Sequence, residues 1–523
     1  MTKVKKTKVS IFLIKETVAK IGDIIDVDRN GLQRFEFDEQ NTLFIRKNAD
    51  KTPEWVVDFF KGKIDSDNWQ TSSISAALVT SVEVAANAMR IFVVTFGYGR
   101  FLVSGDSIER RFGLKCVLNS VNSDALRQIK KTQISGNARK SSEQMPRKSP
   151  ITEFSLDYEQ DLLEGVTAIG KKDSLLSGTI SGGDALSVTA SIDIDNVSDY
   201  LKRLYSIYRS TTYQEHFSWI DHIFPVKDAS LIEELNSAAV ESLNRNDECV
   251  WFSIPEVIEW ENIAGFRYAH TGDTFDDILA RDLLATIRGG LRDFQQLKAK
   301  RVYAISSSGD EIVNSWAASH CLYGELQLRS AQYCISDGLW YQIDKSYTDA
   351  IKSDYEKTPI TSIPLLDYQK DCKGEGEYNN QLAKSSDSYL LMDQRLVAFG
   401  GGGSSIELCD VLTDDGRFIH VKRYGGSKVM SHLFNQGLVS MELIKSEPNF
   451  VSKANEEIAQ IDSSGRFLFS KEQANEIVFA IVTKNESELP NIPFFSKVAF
   501  HHVKKRLLSM DVAVSIGAIH EAP

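Results

Sequence analysis

Apolar and polar positions alternate with a period of two through residues 406–412 (IELCDVL) and 417–424 (RFIHVKRY), and the polar trio Asp414-Asp415-Gly416 lies between them. This is the pattern of two strands joined by a tight turn. Period-two alternation puts His420 and Lys422 on one side of the second strand and Ile419 and Val421 on the other. A three-residue loop with Gly416 in the left-handed region sets Asp410 opposite His420 and Leu408 opposite Lys422. A two-residue loop would shift the pairing and separate the acid from the histidine.

Around this hairpin the chain from 375 to 444 predicts a fixed order: helix 377–384, strand 389–396, a glycine-rich turn at 400–403, strand 406–412, strand 417–424 and helix 427–444, with Ser427 as its N-cap. Further on, IVFAIVT (477–483) and FSKVAF (495–500) read as strands, and HHVKKRLLSM (501–510) as a basic helix. Upstream, VSIFLIK, NTLFIRK and RIFVVTFGYGRFLV look extended. Residues 126–152 are polar, basic and poor in large apolar side chains, as a long loop or linker would be. From 153 the pattern lengthens into amphipathic helices, 198–208 and 275–297 among them, and DGLWYQID carries the Asp-Gly turn of a hairpin. Glycines 97, 99 and 113, in FGYGR and ERRFGLKCVLN, allow either a close backbone approach to a ligand or simple hairpin geometry, with Arg100, Arg110 and Arg111 solvated or paired.

The expected fold class is therefore α+β and multidomain, with a central mixed sheet in its C-terminal part. The expected divisions are an N-terminal domain at 1–150, a mixed middle domain at 151–345 and a last domain at 350–523. A chain of 523 residues has room for two or three cores. Net charge is −12, which argues against indiscriminate coating of nucleic acid and confines any such contact to local basic clusters. Six cysteines without a CxxC pair suggest neither a zinc knuckle nor a disulfide framework. No run approaches the roughly 20 apolar residues of a membrane helix. Reduced thiols and a cytoplasmic location are expected.

The order helix, strand, strand, strand, helix resembles the core of the PD-(D/E)xK restriction-endonuclease-like superfamily, in which a helical acid, a mid-sheet aspartate and an acid-x-lysine strand surround divalent cations. The resemblance implies Asp410 as the metal-binding aspartate, Lys422 as the motif lysine, Glu377 as the helical acid, with Glu375 its rival, and Gln436 where several branches carry a glutamine. Asp393 is an alternative first-strand acid. His420 stands where the family has Glu or Asp. Mrr-like enzymes place Gln there, and HVKRY is similar to their strand. The implied cofactor is Mg²⁺ or Mn²⁺, an imidazole ligand favouring Mn²⁺. The implied partner is DNA, with Arg423, Lys428, Lys504, Lys505 and Arg506 as candidate backbone contacts. Several strings, FGYGR, ERRFGLKCVLN, IELCDVL, HVKRYGGSKVMSHLFNQG and LPNIPFFSKVAF, resemble a bacterial "sporadically distributed protein" family of unknown function. That implies a patchy distribution, of the kind seen for genes carried with restriction and phage-defence systems.

The functional expectation is a metal-dependent endodeoxyribonuclease in bacterial anti-phage defence. Its rival is a degenerate site of the same fold that grips nucleic acid, a phage component or another defence protein without cutting. Homo-oligomerisation is left open by the sequence. A nucleotide-binding reading of glycines 400–403 and 425–426 lacks the GKS or GKT that phosphate binding would need.

Overall fold

The computed structural model describes the chain apart from residues 1–5, 49, 51, 54–55, 58, 66–67, 135–138, 158–160, 173, 248, 308–310, 400–403, 448, 485–486 and 523, and apart from the side chains of 399, 404 and 428. The architecture is mixed α/β with several sheets. It divides into two compact units: residues 1–132, 141–158 and 162–220 form one, and 133–140, 159–161 and 221–523 the other. Among the described residues no helix is long and apolar enough to cross a membrane.

The first unit is built on a ten-stranded sheet in the order Leu32–Glu36, Asn41–Lys47, Ile74–Ala85, Ala88–Gly97, Thr7–Leu13, Leu186–Ala190, Gly178–Gly182, Asp161–Gly170, Leu126–Gln133 and Arg139–Ser149. The run VSIFLI is apolar without alternation because its strand is covered on both faces. Val9, Ile11 and Leu13 enter one core with helices Phe112–Leu118 and Val197–Arg209, while Phe12 and Ile14 enter another with Phe44, Val79 and Val93. The sheet runs across position 150, where the sequence suggested a boundary. The basic stretch 126–152 is also not a long loop: its two strands lie at the sheet's edge. The outermost strand carries exposed Pro146, Arg147 and Lys148, and proline and charge are what an unpaired edge tolerates.

Glycines of the FGYGR and ERRFGLK strings bring backbone against backbone of the same unit. A Cβ on Gly99 would stand 1.9 Å from the Ala76 carbonyl oxygen, and one on Gly113 would stand 2.0 Å from that of Ala185. The arginines beside them are engaged: Arg110 pairs with Asp184 at 2.6 Å, and Arg111 donates to the Ile220 carbonyl at 2.9 Å. Gly113→Ala is expected to destabilise this unit by about 3 kcal/mol or more, the upper end for overpacking, because the obstructing atom belongs to main chain that cannot rotate away. Thermal unfolding of the variant checks this.

In the second unit, a five-stranded antiparallel sheet takes the order Ile223–Pro225, Leu339–Ile343, Ala331–Ser336, Leu322–Leu328, Val250–Phe252. Asp337 and Gly338, at φ 54° and 70°, make the hairpin turn that DGLWYQID suggests. The single helix expected at 275–297 is instead two short ones, Ala280–Ala285 and Phe294–Ala299. Gly289 and Gly290, both at positive φ, separate them.

The last sheet has the order Tyr389–Leu391, Val411–Thr413, Arg417–Arg423, Glu476–Thr483, Ala513–His520. The first two pairings are antiparallel and the last two parallel. Alternation divides its central strands: Phe418, Ile477 and Phe479 pack with helix Ser427–Ser446, whereas Ile419, Val421, Val478 and Ala480 pack with Tyr378 and Leu382 of helix Glu375–Lys384. FSKVAF, expected as a strand, is the first half of helix Phe494–Ser509. The strand expected at 389–396 is broken, and its second part, Leu396–Phe399, pairs with Ser404–Glu407 as a separate ribbon. The glycine turn 400–403 lies outside the described residues.

Glu325 ties the five-stranded sheet to this last layer, and residues on both sides of 345–350 belong to the same compact unit. Buried at 4% exposure, its carboxylate accepts from Ser427 Oγ and, at 2.9 Å, from the Phe495 amide. It thus serves the first turns of two helices. Gly426, not Ser427, is the residue that precedes the first of them. Glu325→Ala leaves these donors without their acceptor and is expected to lower stability by roughly 1–3 kcal/mol, measurable by denaturant unfolding.

Candidate metal centre

The hairpin closes as its polarity pattern requires. Gly416 sits at φ 83°, Val411 pairs with Ile419 and Leu412 with Phe418. This is the register of a three-residue loop, and the Asp410 amide donates to the Ile419 carbonyl at 2.9 Å. Just before that strand the chain leaves regular structure at Leu408-Cys409-Asp410, with Leu408 and Cys409 buried. The Met392 and Asp393 amides both donate to the Asp410 carbonyl, at 2.9 and 3.0 Å. Two chain reversals are thereby locked together, and their acids with them.

The result is a cluster in which carboxylate oxygens of Asp393, Glu407 and Asp410 all lie within 4.8 Å of one another, each residue partly buried. Asp410 Oδ2 accepts from the Val421 amide at 2.7 Å and Oδ1 from Asn379 Nδ2 at 3.2 Å. Glu407 accepts from the Gln394 amide and, at 3.3 Å, from Gln436 Nε2. Burial pushes the Asp410 carboxyl up to about 7; the Val421 hydrogen bond opposes this, while the charges of Glu407, Asp393 and Glu375 add to it. Glu407 is raised too, by burial and by Asp393, against the pull of Lys422. Three carboxylates so close, two of them held above their ordinary range, form a site that a cation relieves. Carboxylate oxygen is the donor that Mg²⁺ or Mn²⁺ prefers, so the residues present fit such an ion.

Lys422 stands at the edge of this cluster, its Nζ 2.7 Å from Glu375 Oε2. The other Glu375 oxygen accepts from the Arg423 amide at 3.0 Å. Glu375 is therefore the helical acid that meets the lysine. Glu377, the expected one, is exposed and accepts instead from the Lys373 amide at 2.7 Å, because two residues along a helix turn its side chain away. His420 does not join the acids. It is 2% exposed, its ring stands 6.2 Å from that of Phe479, and burial pulls its pKa down to about 4, so it is neutral at pH 7. Its side of the strand is the apolar face it shares with Phe418 and Phe479, packed with helix Ser427–Ser446, and the acids that converge are Asp393, Glu407 and Asp410 in place of the expected set of Asp410, His420 and Glu377.

The expected nucleic-acid contacts are mostly occupied within the unit. Arg423 pairs with Glu521 at 2.9 Å and lies over the Tyr368 ring, Lys504 pairs with Asp354 at 2.9 Å, and Arg506 pairs with Glu442. Lys505, exposed on the same helix, is engaged as well, and the Lys428 side chain lies outside the described residues. Glu407 and Asn379 are the site residues that sequence reasoning missed. The signal available was the acid three positions before Asp410, obscured by reading 406–412 as one unbroken strand.

Fold and site together define a mixed α/β protein with a partly buried acidic triad beside a lysine. The chain belongs to a family of unknown function, DUF6119, whose model matches residues 9–520. No curated protein matches it, and no solved structure does.

Proposed function

We propose that this protein is a divalent-metal-dependent nuclease that hydrolyses phosphodiester bonds of DNA, its last sheet a restriction-endonuclease-like core serving bacterial anti-phage defence. The observation that carries this reading is the convergence of Asp393, Glu407 and Asp410 beside Lys422. The order of helix, three antiparallel strands, helix and parallel strand supports it. In this reading Glu407 supplies the acid that position 420 lacks, from a neighbouring ribbon. Asp393, Glu407 and Asp410 would hold Mg²⁺ or Mn²⁺, which supplies Lewis acidity at a phosphoryl oxygen and a lowered pKa for bound water. Gln436 holds the Glu407 carboxylate in place. Lys422, drawn away from Glu375 by phosphate, neutralises charge developing on the scissile group.

A second reading has one observation in its favour: the motif position carries a buried neutral His420, which supports a degenerate site that binds DNA or a phage component without cutting. Incubating the full chain with plasmid, linear and single-stranded DNA and Mg²⁺ or Mn²⁺ separates the two. Divalent-dependent cleavage is expected, abolished by chelator. Retention of DNA without any cleavage under either ion would favour the binder.

A further inference from the structure

We propose, resting on the nuclease reading above, that Asn379 is a positioning residue of the metal centre, one that fixes the Asp410 carboxylate and offers its free amide oxygen to a water on the cation. Asn379 is 1% exposed, and its Nδ2 donates to Asp410 Oδ1 at 3.2 Å. Its Oδ1 is buried without a hydrogen-bond partner. A buried acceptor left empty is uncommon in a folded protein and calls for an occupant. The two ends of an amide are only about 2 Å apart by covalent geometry, so this acceptor stands beside the same carboxylate that its nitrogen holds. Turning the amide over would set its oxygen against the Asp410 oxygen, which repels unless Asp410 is protonated. With Asp410 ionised, as a cation in the triad would keep it, the donor is committed to Asp410 and the acceptor is left for something that donates. Water on a divalent cation is such a donor, and carboxylate ligands of metals are commonly steadied by groups one shell further out.

The helix explains why this residue type sits here. Asn379 follows Glu375 by four positions, which places both on one helical face. One helix thus presents Glu375 to Lys422 and Asn379 to Asp410, fixing the lysine and the acid relative to each other. Tyr378 and Leu382, both fully buried, anchor that helix against Ile419 and Val421. No titration is needed for this role, and no part of it depends on His420.

The test is Mn²⁺ titration calorimetry on the full chain, with thermal unfolding in chelator alongside. Asn379→Leu keeps the branched shape, with bulkier ends, and removes both hydrogen-bonding groups. Ser385→Ala, which removes the Ser385 Oγ bond to the Leu382 carbonyl at the far end of the same helix, controls for general loosening. We expect Asn379→Leu to weaken Mn²⁺ binding by about 10- to 100-fold while remaining folded, and Ser385→Ala to bind as the parent does. Asn379→Ser, shorter but able to donate and accept, is expected to recover part of the affinity, and it preserves the comparison if the leucine variant does not fold. Unchanged Mn²⁺ affinity in folded Asn379→Leu, or equal weakening in Ser385→Ala, would overturn the role of Asn379 and leave the triad standing. A parent chain that takes up no Mn²⁺ would overturn the metal centre itself, and this inference with it.

Discussion

Lys422→Ala is expected to lower divalent-dependent DNA cleavage by about 10²- to 10³-fold, the usual loss when one charge-stabilising donor is removed from a reacting centre. Asp410→Ala is expected to bring cleavage to background, because it removes a carboxylate central to the triad and the acceptor of both Val421 and Asn379. The two variants should differ in kind. Lys422→Ala leaves the triad intact and should bind Mn²⁺ close to normally, whereas Asp410→Ala should lose the ion and the reaction together. Lys422→Arg is not a mild substitution, since the broad guanidinium replaces a compact ammonium held at 2.7 Å from Glu375. Initial rates under saturating metal, with binding measured separately, distinguish these outcomes. Loss of metal binding in Lys422→Ala would show that the lysine supports the site's structure and not its chemistry.

The second large effect concerns stability without metal. Asp410 is raised from the ordinary carboxylate range to about 7, so the folded chain holds that proton more tightly than the unfolded chain does. The stabilisation is complete below the unfolded value near 4 and is lost as pH rises through about 7. In chelator the chain is therefore expected to unfold at progressively lower temperature between pH 5 and 8, as Asp410 ionises beside Glu407 and Asp393. Asp410→Asn, which removes the charge, should flatten this slope and unfold several degrees above the parent at pH 8. Mn²⁺ should reverse the order. A cation at 100 times its Kd adds about 2.7 kcal/mol to the parent and little to the variant. Scanning calorimetry at three pH values, with and without ion, reads both parts; parallel slopes for parent and variant in chelator would contradict the repulsive triad.

How much of this was legible in the chain can be read from particular residues. The hairpin's register was, because Asp414-Asp415-Gly416 admits few closures and Gly416 takes the left-handed conformation that a three-residue loop requires. Lys422 and Asp410 follow from that register. The parity argument held for His420, which lies opposite Ile419 and Val421, but Lys422, assigned to the His420 side, reaches round to Glu375 on the helix packed against Ile419 and Val421, because parity gives a face and not a long side chain's neighbours. On that face His420 lies beside Phe479, its register partner on a parallel strand, and helix Ser427–Ser446 packs over the layer they belong to. Glu407 was hidden because the apolar alternation of 406–412 runs straight through a break that only tertiary pairing with Leu396–Phe399 reveals. FSKVAF carries β-branched and aromatic residues in a short window that fits either period, and its helix begins at Phe494 after Pro493, a signal readable only once its length to Ser509 is known. The basic strands within 126–149 were obscured for the opposite reason: the half-buried positions 141, 143 and 145 of the edge strand are Ser, Glu and Met, so its inner face carries almost no apolar alternation.

Anomalous diffraction from crystals of the full chain soaked in Mn²⁺ most directly tests whether the three acids form a metal centre. A manganese peak about 2 Å from oxygens of Asp393, Glu407 and Asp410, within reach of Lys422, is the expected result. Crystals with ordered carboxylates and no peak there, or manganese bound only elsewhere on the chain, would contradict it.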